Sequence, residues 1–321
     1  MIHNVEPSVD GAPLEGWEPI VDDPALRALL RPGAVMHRLA TGATWAEGPV
    51  WLPYDGSVLW SDLVGNRVLR WHPEGRVSVF LDPAEFENGH TLDLDGSIVA
   101  CSHGHRSVER LGLDGTTIPI VDRFRGVRFN SPNDVVVKSD GTIWFTDPPY
   151  GITSNREGYE AESEIGDSLV FRLDPSTGDL DAVSDWVPEP NGLAFSPDES
   201  ILYVADTSAA PNGFGGDGHH IVAFDVVGGR GLANPRVFYT VDVGLADGFR
   251  VDVEGNVWTS AGDGIHVVAP DGRRIGRLPV PEVTSNCVFG GANLDRLYIT
   301  ASTSLYALDV AARGVVPAGP R

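Results

Sequence analysis

One pattern recurs six times along the 321 residues of this chain. Each copy has an apolar strand, a turn of the Asp-Gly or Asn-Gly kind, a second strand rich in aromatic or β-branched residues, and a third strand that ends in a charged turn. A repeat of this kind constrains the fold more than any other feature. The first strands of the copies lie near Val50, Thr91, Asp134, Gly192, Gly248 and Cys287, so successive copies are offset by 41, 43, 58, 56 and 39 residues.

Alternation within the repeats predicts antiparallel sheet. Residues 142–146 (TIWFT) and 256–260 (NVWTS) alternate with a period near two, and the turn Asp140-Gly141 favours a tight hairpin. A unit of about 40 residues with three or four short strands has the size of one blade of a β-propeller. Because a single blade cannot bury both of its faces, the sequence predicts an all-β fold, a six-bladed β-propeller closed into a ring.

The chain is predicted to divide into an N-terminal extension, residues 1–33, and a propeller, residues 34–321. The extension contains one short helix near residues 24–31, with Asp23 placed to cap it. Residues 34–39 (AVMHRL) are expected to supply the missing outer strand of the sixth blade. Such a strand would close the ring and leave no exposed sheet edge.

The composition excludes several classes of partner. Lys and Arg total 23 against 45 Asp and Glu, a formal net charge of −22, which argues against nucleic acid or an anionic membrane surface. No run approaches the roughly 18 apolar residues of a membrane helix, and no basic and then apolar leader opens the chain. The two cysteines, Cys101 and Cys287, are too far apart for a disulfide framework or a zinc motif. We therefore expect a cytoplasmic monomer or small homo-oligomer that acts on a small molecule.

Short polar side chains recur at the starts of the first strands, where a propeller brings its blades to a central channel. Glu47, Asn133, Asn191 and Asp247 each stand one residue before a Gly or Asp, directly ahead of an apolar strand. Asn and Asp are ordinary turn residues, so each one alone is weak support for a site. Two carboxylates and two amides on one axis would form an all-oxygen site of charge −2, which suits Ca²⁺, Mg²⁺ or Mn²⁺.

Four segments in order resemble one known family, the senescence-marker-protein/gluconolactonase/luciferin-regenerating-enzyme-like family. They are WAEGPVW (45–51), SPNDVVVKSDGTIWFTDPPYG (131–151), EPNGLAFSPD (189–198) and ADGFRVD (246–252). The resemblance runs from about Trp45 to Leu308. It implies a six-bladed propeller with a central divalent metal, and a lactonase that hydrolyses the ester bond of a sugar-acid lactone.

The resemblance also implies roles for single residues. By position, Glu47, Asn191 and Asp247 resemble the metal ligands of the family, and Asn133 resembles either a fourth ligand or a substrate contact. Asp247 also matches the acidic residue that accepts or donates the proton. The implied cofactor is one divalent cation, Ca²⁺ first, with Zn²⁺, Mn²⁺ or Mg²⁺ as alternatives. The animal branch has an Arg at the place of Ser131, so the sugar-acid specificity of that branch does not transfer.

Three further residues are candidates for substrate contact. His103 in ACSHGHRSV is expected at the channel mouth. It stands two residues before His105, so on a strand both rings would share a face, but no third zinc ligand matches them. Asp147 and Tyr150 in FTDPPYG end a central strand and are expected to face the pocket, although a Pro-Pro turn needs no function to explain it.

Two long insertions, near residues 151–167 and 208–219, are expected to cover the substrate. The second contains Gly213, Gly215 and Gly218 at the G-x-G-x-x-G spacing. A strand follows these glycines, and no βαβ unit surrounds them, so dinucleotide binding is excluded by context.

The expected chemistry is addition of water to a lactone carbonyl that the cation polarises, with Asp247 accepting the proton and Glu47 as the reserve. Two alternatives stay open. A phosphotriesterase would use the same metal site on a different bond, and a non-catalytic propeller would bind a ligand and use a cation for stability alone. The chain has no G-x-S-x-G motif, and its single lysine, Lys138, lies beside a turn, which weighs against serine-hydrolase and Schiff-base chemistry.

Overall fold

The computed structural model describes residues 6–211, 213 and 215–315, and almost all of its regular structure is β-sheet. Six sheets of four or five strands surround a central axis as the blades of a propeller, so the predicted fold is confirmed. In the described part of the chain the helices have five and four residues, and neither could cross a lipid bilayer.

Four short elements precede the first complete blade. They are strand β1 (Ser8–Pro13), strand β2 (Ile20–Val21), helix α1 (Ala25–Leu29) and strand β3 (His37–Thr41). Helix α1 confirms the predicted helix, and the Asp23 carboxylate accepts a hydrogen bond from the Ala25 N–H at 2.8 Å. Leu26 and Leu29 on this helix are buried in an apolar cluster with residues of blades 5 and 6.

Blades 1 to 4 are four-stranded antiparallel meanders in chain order. Blade 1 contains β4 (Ala46–Leu52), β5 (Ser57–Asp62), β6 (Arg67–Trp71) and β7 (Val77–Leu81). Blade 2 contains β8 (Glu87–Leu92), β9 (Ile98–Ser102), β10 (Ser107–Leu111) and β11 (Thr117–Val121), and a hairpin of β12 (Arg123–Phe124) and β13 (Val127–Arg128) follows it. Blade 3 contains β14 (Val135–Val137), β15 (Ile143–Asp147), β16 (Leu169–Asp174) and β17 (Asp179–Ser184), with helix α2 (Tyr150–Thr153) after β15. Blade 4 contains β18 (Pro190–Phe195), β19 (Ile201–Asp206), β20 (His220–Val227) and β21 (Gly231–Thr240).

Blades 5 and 6 recruit N-terminal strands. Blade 5 contains β22 (Phe249–Val251), β23 (Val257–Ala261), β24 (Gly264–Val268) and β25 (Arg274–Pro279), with β2 paired outside β25. Blade 6 contains β26 (Thr284–Gly290), β27 (Arg296–Ala301) and β28 (Ser304–Asp309), followed by β3 and then β1. The expected ring closure is therefore present. Strand β3 is the fourth strand of blade 6, with Ala40 opposite Leu305.

The apolar core lies between neighbouring blades and depends on an aromatic residue that recurs in the second strand of five of the six blades. Five blades place a large buried aromatic side chain near the middle of that strand: Trp60, Trp144, Tyr203, Trp258 and Tyr298. Each joins an apolar cluster that extends across a blade boundary. These residues are the aromatic positions of the sequence repeat, so the repeat encodes the packing between blades.

The inner strands approach one another closely at the axis because glycines stand at the points of contact. The glycines are Gly48, Gly89, Gly192 and Gly248, one each from blades 1, 2, 4 and 5. A Cβ on Gly48 would lie 1.8 Å from the carbonyl oxygen of Asn88, and one on Gly192 would lie 2.2 Å from that of Asp247. The pairing register also shifts at this level in β4, β8, β18 and β26. Such bulges turn a side chain out of the regular alternation.

Replacing Gly48 by Ala is expected to destabilise the protein strongly, because the new methyl group would overlap the Asn88 carbonyl. Gly75→Ala is the matched control. Both glycines have positive φ, +48° and +83°, but nothing lies within 4 Å of a Cβ at Gly75. Gly75→Ala should therefore lower the free energy of unfolding by only about 1 kcal/mol, the cost of a left-handed backbone at Ala. Gly48→Ala should lower it several times more. Thermal unfolding followed by circular dichroism measures both, and equal melting temperatures would contradict the close approach.

Candidate functional site

Polar side chains from all six inner strands gather at one end of the central channel. They are Glu47, Asn88, Asn133, Asn191, Asp247 and Asn286, one from the start of each first strand or the turn before it. Five are buried and Asp247 is partly exposed. The four predicted ligands therefore come together at a single cavity of about 280 Å³, which Asn88 also lines.

The two long insertions form part of the cavity wall. Arg156 and Glu157 line it from the first insertion, Ala210 and Pro211 line it from the second, and Tyr150 lines it directly before the first. Apart from these two segments, most of the wall comes from the starts of the inner strands and the turns beside them. The loops therefore narrow access to the polar ring, as expected for segments that cover a bound small molecule.

Glu47 and Asp247 form an acidic pair at the base of the cavity. The Oε2 atom of Glu47 accepts hydrogen bonds from the Gly48 N–H at 2.8 Å and from Nδ2 of Asn286 at 3.4 Å. Burial raises the pKa of Glu47 to about 7. Burial and the negative charge of Glu47 together raise the pKa of Asp247 well above its ordinary value. Two carboxylates this close in a poorly solvated site favour either a shared proton or a bound cation.

The amide side chains supply neutral oxygen atoms to the same ring. Nδ2 of Asn191 donates to the Thr207 hydroxyl at 3.2 Å, so its Oδ1 is not used in that bond. The Oδ1 atom of Asn88 is buried and has no hydrogen-bond partner among residues 6–211, 213 and 215–315. Within the same ranges no three His, Cys, Asp or Glu side chains form a metal cluster. A cation held here would therefore need the amide oxygens as well as the two carboxylates, a donor set that suits hard divalent ions.

His103 is a neutral hydrogen-bonding residue of the cavity wall. Its Nδ1 atom lies 2.9 Å from the carbonyl oxygen of Glu157, which can only accept, so Nδ1 carries the proton. Nε2 is then an acceptor, 3.4 Å from Nδ2 of Asn88. Burial lowers the pKa of His103 to about 4, so the ring is uncharged at neutral pH. Strand β9 ends at Ser102, and His105 turns instead toward Glu109, with Nδ1 at 2.8 Å from Oε1.

Tyr150 lies on the cavity wall as expected, whereas Asp147 lies behind it. The Tyr150 hydroxyl hydrogen-bonds the Thr207 hydroxyl, and burial and the charge of Glu189 raise its pKa well above the ordinary value. The Asp147 carboxylate accepts the N–H groups of Asn130 at 2.9 Å and Ser131 at 2.8 Å. Burial raises the pKa of Asp147 to about 7. Asp147 therefore holds the segment that leads to the polar ring and does not line the cavity.

Two members of the polar ring are missing from the predicted site. Asn88 precedes Gly89 in the same way that Asn191 precedes Gly192, so an Asn-Gly signal is present in the sequence. Asn286 is followed by Cys287 and not by Gly or Asp, so the sequence pattern of the other strand starts is absent there. Its role depends on its approach to Glu47, 239 residues away along the chain, which only the closed ring provides.

Comparisons with known proteins identify similar chains and a similar fold. A family model of the SMP-30/Gluconolactonase/LRE-like region matches residues 45–303. A gluconolactonase from Zymomonas mobilis is 35% identical over 305 residues, which cover 87% of this chain and 82% of that protein. Pentonolactonase XacC from Haloferax volcanii is 30% identical over 301 residues, covering 85% of this chain and 94% of its own. The solved structure of a gluconolactonase from Xanthomonas campestris aligns with a TM-score of 0.87 at 41% identity, covering 94% of this chain and 97% of that chain.

Glu47→Gln is expected to stabilise the metal-free protein at neutral and higher pH. In the folded state the Glu47 pKa is about 7 against an ordinary value of 4.5, so the folded state binds more protons than the unfolded state between these values. The contribution of Glu47 to the free energy of unfolding therefore falls as pH rises from about 4.5 to 7. The variant should gain on the order of 1–3 kcal/mol at pH 8 and almost nothing at pH 4.5.

Thermal unfolding with a chelator present, at several pH values, measures this difference between variant and wild type. Glu74→Gln is the control, because its side chain is 60% exposed in a hairpin of the same blade. A Glu47→Gln protein that is less stable than wild type by a constant amount at every pH would show that the pKa of Glu47 is not raised in the folded state.

Proposed function

Because the chain belongs to the SMP-30/gluconolactonase/LRE-like family, we propose that it is a lactonase that hydrolyses the internal ester of a sugar-acid lactone at the axial cavity. The observation that carries this proposal is the ring of carboxylate and amide side chains at the base of a partly enclosed cavity. The relatives named gluconolactonase and pentonolactonase match over most of their length, which supports a small polyhydroxylated lactone as the substrate class.

One divalent cation fits the donor set. Glu47, Asn133, Asn191 and Asp247 would hold it, with Ca²⁺ favoured because it accepts mixed carboxylate and amide oxygens, and Zn²⁺, Mn²⁺ or Mg²⁺ as alternatives. Two features support the fit. Burial first, and then the negative charge of neighbouring carboxylates, raises the pKa values of the acidic pair, a cost that a bound cation would offset. The buried Oδ1 of Asn88 has no hydrogen-bond partner in the described chain. When bound, the cation would polarise the lactone carbonyl.

Asp247 is the residue that we assign to proton transfer. It is more exposed to the cavity than Glu47, so a water molecule can approach its carboxylate. Asp247 would accept a proton as the water oxygen bonds to the carbonyl carbon. The bond between that carbon and the ring oxygen then breaks, and the ring oxygen takes the proton. The product is an open hydroxy acid, and the carboxylate of Asp247 returns to its starting state.

Three wall residues would orient the lactone above the ring. His103 has an acceptor at Nε2 because its Nδ1 proton is held by the Glu157 carbonyl, and a lactone hydroxyl would replace the long 3.4 Å contact of Nε2 with Nδ2 of Asn88. Tyr150 stays protonated because burial raises its pKa, so its hydroxyl can donate. Asn133 lines the cavity from the base and is proposed as a ligand or a substrate contact. Asp147 would act on substrate only indirectly, through Ser131 and the loop that it holds.

Removal of either carboxylate should abolish most of the activity. Asp247→Asn is expected to lower kcat/KM by about 10²–10⁴-fold on the best aldonolactone, because both the proton acceptor and a charged ligand are lost. Glu47→Gln should lower it by a similar factor through loss of the cation, and a chelator should inactivate the wild type. The measurement is acid release from a panel of aldonolactones, with Glu74→Gln as the control variant.

Other outcomes of this assay are informative. If Asp247→Asn and Glu47→Gln hydrolyse the best lactone as fast as wild type, the axial site is not the active site. Faster turnover of an organophosphate triester than of any lactone would identify a phosphotriesterase. A cation that raises the melting temperature without hydrolysis of either substrate would identify a ligand-binding propeller.

His103→Gln is expected to raise KM for a polyhydroxylated lactone by about 3–10-fold, the value of one hydrogen bond between neutral groups, with little change in cation affinity. His105→Gln is the matched control, because that ring lies two residues further on, is 46% exposed and faces Glu109. Steady-state kinetics and a cation titration test the pair. Equal KM values for the two variants would remove His103 from the substrate site.

A further inference from the structure

Asp134 is a third carboxylate on the channel axis, next to the acidic pair but outside the cavity wall. Its side chain is 2% exposed. Oδ1 accepts the Val135 N–H at 2.9 Å, whereas Oδ2 has no hydrogen-bond partner among the described residues. A Cβ on Gly89 would lie 2.6 Å from Oδ1, so the neighbouring inner strand covers this carboxylate closely.

The charge of Asp134 reaches both members of the acidic pair. Asp134 directly follows Asn133. Burial is the main cause of the raised pKa values of Glu47 and Asp247, and the negative charge of Asp134 adds to both. It does not line the cavity in which those two side chains lie. Asp134 therefore acts on the ring through space, from a position where water cannot screen it.

Arg250 is the positive group that faces Asp134 from the opposite side. Its Nη1 atom lies 3.9 Å from Oδ2 of Asp134 and donates to the Phe249 carbonyl at 2.8 Å. The Arg250 side chain is 17% exposed and lines a second cavity of about 980 Å³, formed by later parts of the inner strands at the other end of the channel. Arg250 therefore approaches Asp134 from the second cavity, whereas Asn133, the residue before Asp134, lines the first.

The contact with Arg250 compensates the burial of Asp134 only in part, because the pKa of Asp134 is still raised by burial. At 3.9 Å the two groups attract each other but make no hydrogen bond, and the buried Oδ2 atom accepts no hydrogen bond from any described residue. Burial of a carboxylate in this state is unfavourable. A positively charged ligand on the far side of Asp134, at the polar ring, would offset this cost.

We propose that Asp134 and Arg250 are positioning residues that set the cation affinity of the axial site in opposite directions. The inference rests on the proposed function, since it requires that the ring of Glu47 and Asp247 binds a divalent cation. Asp134 adds attraction for the cation without ligating it, and Arg250 subtracts from that attraction. Charges at this depth interact through a low effective dielectric, and a divalent ion doubles each interaction.

The test is isothermal titration of Ca²⁺ and Mn²⁺ into four full-length proteins: the wild type, Asp134→Asn, Arg250→Gln and the double variant. Asp134→Asn should weaken the Kd by about tenfold or more, and Arg250→Gln should tighten it several-fold. The double variant should bind between the two single variants. Asp179→Asn, which removes the same charge from the exposed outer strand β17, should leave the Kd unchanged.

The melting temperature gives a second readout, because the increase caused by a fixed cation concentration should follow the same order. An unchanged Kd in Asp134→Asn, or weaker binding in Arg250→Gln, would overturn the proposal. If Asp134→Asn does not fold, the Kd of Arg250→Gln still tests the proposal, because tighter cation binding supports it and weaker or unchanged binding contradicts it. A wild type that binds neither cation would refute the proposed metal site itself, which is a different result from equal Kd values in the wild type and the variants.

Discussion

The close approach of six inner strands at the propeller axis is the constraint on which the rest of the structure depends. At Gly48 and Gly192 the backbones of neighbouring blades come so near that no Cβ would fit. The register shifts at the same level release the adjacent side chains from the regular alternation of a strand. As a result, polar groups that start six different strands share one small volume, and the apolar clusters between blades hold them there.

The same convergence creates an electrostatic cost. Glu47, Asp247 and Asp134 lie close together, Glu47 and Asp134 are buried, and loss of hydration is the main cause of the raised pKa of each of the three. The fold tolerates this because the sheets around the axis are stabilised independently by the aromatic residues of the second strands. A site that is unfavourable without a cation is also one that can bind a cation tightly, since binding relieves repulsion as well as adding attraction.

The segment around helix α2, above the polar ring, is held in place by specific hydrogen bonds and close contacts. The Ser131 hydroxyl donates to the Pro148 carbonyl at 2.6 Å and accepts the Gly151 N–H at 2.9 Å, which fixes helix α2 on the inner strands. A Cβ on Gly151 would lie 2.6 Å from the Cβ of His103 and 2.7 Å from that of Ser131. A side chain as large as arginine at position 131 has no space beneath this helix. Ser131 therefore holds the helix that begins at Tyr150, a residue of the cavity wall.

The sequence by itself determined the number of blades, the strand that closes the ring and four members of the polar ring, because the repeat places equivalent residues at equivalent strand positions. Only the tertiary structure decided that Asn286 reaches Glu47, that Asp147 holds a loop behind the cavity, and that Asp134 faces Arg250. These relations depend on distances between blades and on the direction of side chains at irregular strand starts. Neither the distances nor the directions repeat along the chain, so a repeat in the sequence cannot predict these contacts.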